Sequence, residues 1–132
     1  MWCYTREETK DRARDFLLQA KEFLSSALDY LNKSRPNGAG FDAIQAMINS
    51  NDALTIHFLG KRASKDHREA TGLHVDVVKI IHDDSGRAII KEALDKRSGV
   101  GYVGKKISIS DAKSIVDKAI KFVGWVEKTI SS

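Results

Sequence analysis

Apolar residues return every three or four positions in five separate stretches of this chain, the spacing of one helix face. In the first stretch Ala13, Phe16, Ala20, Phe23, Leu24, Ala27, Tyr30 and Leu31 share a stripe, which predicts a long helix over 5–33. Residues 34–40, carrying Pro36, Gly38 and Gly40, read as the break after it. A second helix over 41–59 has Ile44, Met47, Ile48, Leu54 and Phe58 on one stripe and Ala43, Ala46, Ala53 and Ile56 elsewhere. So little of it faces solvent that it reads as the central helix, with Gly60 as its stop. Asp66 and Glu69 have the spacing of a capping box and open a third helix, whose apolar positions are Ala70, Leu73, Val77, Val78 and Ile81.

A turn at 83–86 precedes a shorter helix carrying Ile89, Ile90, Ala93 and Leu94. Residues 97–106, with glycines at 99, 101 and 104, make no helical case. The last helix is expected to be capped by Ser110 and to pack through Ala112, Ile115, Val116, Ala119, Phe122, Val123, Val126 and Ile130. No stretch alternates long enough to read as a paired strand. The expected architecture is all-α, an up-and-down bundle of four to five helices forming one domain over 1–132.

Composition narrows the class without naming a function. With 132 residues, 42% hydrophobic and 30% charged, the chain can bury a real core and does not read as a disordered tail. A lone Cys3 excludes a disulfide framework and a multi-cysteine zinc site, and the spacing of the four histidines suggests no metal set. Residues 1–8 lack the apolar core of a secretory signal, and no 18-residue apolar run exists to span a bilayer, so the expectation is a cytoplasmic protein without membrane contact.

Three stretches resemble the HEPN family, the helical nucleotide-binding domains shared by higher eukaryotes and prokaryotes. They are the first helix around residues 20–27, the run Asn51-Asp52-Ala53-Leu54 through Gly60 into Asp66-His67-Arg68-Glu69-Ala70, and the chain from Tyr102 through Ser110-Asp111-Ala112 to Val123. The resemblance implies a helical bundle that binds a nucleotide or RNA phosphate, or pairs with a small nucleotidyltransferase. It also implies, in many members, a metal-independent ribonuclease whose arginine and histidine lie four to six residues apart near the start of a late helix. Arg97 stands in that late region, but His57, His67, His74 and His82 all precede it, so the nuclease signature is missing from its usual place.

The bare spacing recurs earlier. Four residues separate Arg62 from His67, and five separate Arg68 from His74. An imidazole could relay a proton from a ribose 2′-hydroxyl while a guanidinium grips the phosphate, which makes Arg62 and His67 the candidate catalytic pair. The letters G-x-G-x-x-G at 99–104 follow a helix rather than a strand, which argues against a dinucleotide fold. Backbone amides there could still cradle a phosphate.

Charge is uneven. Residues 61–68 hold Lys61, Arg62, Lys65 and Arg68 against Asp66, and residues 96–106 hold Lys96, Arg97, Lys105 and Lys106 with no acid. The whole chain is only +4, so the rest is net acidic. In an up-and-down bundle the second and fourth connections share an end, which would gather Lys61, Arg62, Lys65, Arg68, Arg97, Lys105 and Lys106 into one phosphate-binding surface. Trp125 and Ile120 lie off the last helix's stripe and the second helix is apolar nearly all round, which predicts a homodimer. No cofactor is expected. The leading reading is a binding module with a nucleotidyltransferase-type partner; the alternatives are a ribonuclease and a purely structural dimerisation bundle.

Overall fold

The computed structural model describes residues 5–64, 67–98 and 106–132. Its elements are β1 (Thr5–Glu7), α1 (Arg12–Asn32), α2 (Pro36–Leu59), β2 (Lys61–Ala63), α3 (His67–Ile81), α4 (Arg87–Ser98) and α5 (Ile109–Ser131). The all-α expectation holds, with one small antiparallel pair added to it.

That pair corrects the start of the first helix. Thr5, Arg6 and Glu7 face Ala63, Arg62 and Lys61 in register, and the Glu8 N–H donates to the Gly60 carbonyl at 2.9 Å. Three residues are too few to show alternation, and the partner strand lies more than fifty positions away, so helical propensity alone governs a reading of the sequence there. Gly60, at φ 73°, takes the left-handed turn that ends α2 and aims the chain into β2.

The break between α1 and α2 is shorter than expected. Only residues 33–35 leave the helix, with Ser34 at φ 57° and the Arg35 N–H donating to the Tyr30 carbonyl at 2.9 Å. Pro36 starts α2 instead of ending α1: at the first helical position its missing N–H has no partner to lose. Gly38 lies inside α2 because a side-chain carbon there would stand 2.9 Å from the Tyr30 ring. At the other end of the chain the cap of α5 is Ser108, not Ser110; its hydroxyl accepts the Asp111 N–H at 3.0 Å. Asp111 sits three residues after Ser108, the spacing a cap requires.

α2 is the central element. Ala39, Ala43, Ile44, Ala46, Met47, Ala53, Leu54 and Ile56 are all buried along it, against α1, α3, α4 and α5. Ala13, Ala20 and Ala27 bring α1 close, two turns apart on one stripe. Ile90 of α4, Val77 of α3, and Val116, Phe122 and Val126 of α5 complete the interior. These faces of α2 are therefore covered within one chain, while Phe41 near its start stays exposed. Trp125 is also half-buried, with its indole N–H donating to Asp83 at 2.9 Å. Two of the three features that predict a dimer are thus satisfied within one chain, while Ile120 stays 44% exposed.

The helix directions decide where the loops meet. At the N-terminal end of α2, Asn37 accepts the Ile107 N–H at 3.1 Å and Phe41 lies 5.3 Å beneath the Arg97 guanidinium. The end of α4 and the start of α5 are therefore at that end. At the C-terminal end of α2, Phe58 shares a depression with Ile81, Asp83, Trp125 and Lys128. So α3 leaves from the C-terminal end of α2 and returns to it. Four helices run up, down, up, down, and α3 is inserted in the connection between the second and third of them. No helix among the described residues is long and apolar enough to cross a membrane.

Candidate functional site

Because α3 returns to its starting end, the two basic connections sit at opposite ends of α2. From Phe41 to Lys61 the helix covers about 30 Å at 1.5 Å per residue. Arg97, over Phe41, and the exposed Lys106 belong to one end, and Lys61, Arg62 and Arg68 to the other. The single basic surface expected from sequence is not formed. Lys65, Asp66, Lys105 and the 99–104 glycine run lie outside the described residues, and of His67 only its backbone, opening α3, is described.

More of the α2–α3 end lies within the described residues. Arg62 is fixed from both sides: its Nε lies 3.4 Å from a Glu8 carboxylate oxygen, and its guanidinium stands 5.0 Å from the centre of the Phe16 ring. The side chains of Arg62 and Glu8 are only 21% and 15% exposed, so this pair is less screened than a surface bridge. β1, β2 and α1 converge to hold one guanidinium. Lys61, half-buried, and Arg68, exposed on the first turn of α3, lie at the same end, where the opening amides of α3 add partial positive charge.

Asp52 extends this group inward from α2. Burial pushes its carboxyl up to about 7; the Arg62 charge pulls the other way, and Glu8 adds to the rise. Two carboxylates thus share the field of one arginine, and one of them exchanges its proton near neutrality. The spacing and charge of the sequence give Asp52 no role. The one signal there is an aspartate in a helix apolar on nearly every side, where an acid is costly.

One turn away the second Arg/His spacing fails. His74 is fully buried, and its Nδ1 lies 2.8 Å from the Asn51 side-chain oxygen, which makes Nδ1 the protonated nitrogen. Its Nε2 meets no described partner, and the rings of Phe122 and Trp125 stand 6.1 and 5.8 Å away. Burial, assisted by the Arg87 charge, lowers its pKa to about 4, so the ring is neutral at ordinary pH. Arg68 is exposed while His74 faces the core, and six helical positions turn them to different sides. They form no joint site. His57 packs edge-on against Phe58 at 4.7 Å, with its pKa lowered by burial and by Lys10. Among the described residues no three side chains of His, Cys, Asp or Glu come together as a metal set.

No protein-family model matches the sequence, and no curated protein is similar to it.

Proposed function

We propose that this chain is a HEPN-like helical module that binds a nucleotide or RNA phosphate at its α2–α3 end, in the cytoplasm, as a homodimer beside a nucleotidyltransferase-type partner and without a cofactor. The observation that carries the reading is the placement of Arg62. A guanidinium held by Glu8 and Phe16 loses little freedom when a phosphate arrives, and its planar fork suits phosphate oxygens. Lys61, Lys65 and Arg68 supply the surrounding positive charge. Arg97, Lys105 and Lys106 serve a second region of the same polyanion, at the other end of α2.

The test is fluorescence anisotropy of a labelled single-stranded RNA across a salt series. Lys61→Ala with Arg68→Ala is expected to weaken binding and to flatten the log–log salt dependence by about 0.7 for each phosphate no longer neutralised. Binding equal to the parent at every salt concentration would remove the proposal.

Asp52 favours cleavage as the second reading. In it, Asp52 accepts the proton of a ribose 2′-hydroxyl, whose oxygen attacks the adjacent phosphorus. The bond to the 5′-oxygen breaks, leaving a 2′,3′-cyclic phosphate. Arg62 balances the charge on the phosphate, and His67 protonates the departing 5′-oxygen. An Asp52→Asn or His67→Ala variant that still binds RNA must then lose turnover, and a parent protein that leaves RNA intact sinks this reading alone.

A further inference from the structure

The face shared by α1 and α5 carries apolar groups that nothing among the described residues covers. Leu28 on α1 and Ile120 on α5 are 38% and 44% exposed. The two helices run antiparallel and are joined by the Lys21–Glu127 ion pair. Leu28 lies seven residues after Lys21 and Ile120 seven before Glu127, so two turns bring both to the same height and the same face. Between the ion pair and the apolar pair lie Ser25 and Gly124, both exposed.

Gly124 is unexplained within one chain. It sits in the interior of a 23-residue helix, its backbone angles are ordinary, and a side-chain carbon added there would meet nothing within 4 Å. A glycine so placed weakens the helix relative to alanine and returns nothing to the fold. The missing side chain leaves room for another surface to approach the α5 backbone.

We infer that this face receives a second copy of the chain, related by a two-fold axis parallel to α1 and α5. The inference gives the dimeric part of the proposed function a surface, and it does not depend on phosphate binding. Under that axis α1 of one copy lies on α5 of the other. Leu28 then meets the partner's Ile120, and the symmetric pair doubles the cluster to four apolar side chains. At the next level Lys21 meets the partner's Glu127, so the four charges alternate in sign around the axis. An axis perpendicular to the helices at the height of the ion pair would instead lay α1 on α1 and α5 on α5, which places Lys21 against a second Lys21. The parallel axis is the self-complementary one. Two helices about 30 Å long and about 9 Å apart present about 600 Å² per copy, or about 1,200 Å² in all. That is the lower edge of specific interfaces, where weak and transient contacts sit.

Sedimentation equilibrium from about 1 to about 500 µM tests it, with dimer mass expected at the upper end. Leu28→Asp with Ile120→Asp is expected to raise the dissociation constant at least about tenfold. Gly124→Leu does the same while the thermal midpoint stays level or rises, because the monomer has room for the side chain and leucine favours helix. Lys21→Glu weakens the dimer, and adding Glu127→Lys restores it. If the aspartate pair unfolds the chain, Gly124→Leu decides the matter. A parent that is monomeric at the highest concentration overturns the dimer and this face together. A parent dimer that Gly124→Leu leaves at full strength overturns the face alone. Anisotropy on the same samples reads the RNA proposal separately.

Discussion

Asp52→Asn is expected to change how stability depends on pH more than it changes the fold. In the native chain the Asp52 carboxyl is raised from 3.8 to about 7, and His74 is lowered from 6.5 to about 4. Between about pH 4 and 6.5 the folded protein therefore holds a proton on Asp52 that the unfolded chain has released. Over the same interval the unfolded chain holds a proton on His74 that the folded protein excludes. Each difference is worth about 1.4 kcal/mol per pH unit, with opposite sign. Asp52 makes stability fall as pH rises, by about 4 kcal/mol once its folded pKa is passed. His74 makes stability rise with pH, by about 3 kcal/mol, until its unfolded pKa is passed. In the parent the two slopes nearly cancel, and urea unfolding followed by circular dichroism should give a nearly flat profile from about pH 4.5 to 6.5. Asparagine cannot ionise, so the variant should expose the His74 slope, to which His57 adds with the same sign, and gain at least about 3 kcal/mol across that window. The advantage of the variant over the parent then grows with pH and levels off above about 7. Parallel profiles for parent and variant would show that Asp52 does not titrate near neutrality, and the cleavage reading would lose its proton acceptor with it.

Two further expectations concern local structure. Ser108→Ala should cost about 1 kcal/mol in urea unfolding because the Asp111 N–H loses its acceptor, whereas Ser110→Ala should stay within about 0.5 kcal/mol; the reverse order would return the cap to Ser110. Gly38→Ala should lower the melting temperature by an overpacking cost of about 1–3 kcal/mol, since its new carbon falls 2.9 Å from the Tyr30 ring. Once Tyr30→Ala removes that ring, the Gly38→Ala change should become neutral or stabilising; if the double variant melts as low as the sum of the singles, the clash is not the cause.

The helices are legible in the amino-acid order, because each must bury an apolar stripe and that requirement is local and periodic. That order also marked α2 as central, since a helix with Ile44, Ala46, Leu54 and Ile56 spread around its circumference has no face for water. Its errors fall where a residue's partner is far along the chain or where one residue suits two roles. β1 exists only because Lys61–Ala63 come to meet it, and Pro36 both stops a helix and starts one. The site was legible in part: spacing and charge point to Arg62, but Glu8 and Phe16, which hold it, are joined to it only by the β1–β2 pairing. Asp52 needed the packing of α2 before its proton affinity could rise, because desolvation is a property of the assembled interior. The division of the basic residues between two ends was decided by tertiary structure alone. Periodicity gives a helix its stripe but not its direction, which for α3 is set by its packing against α2 and α4.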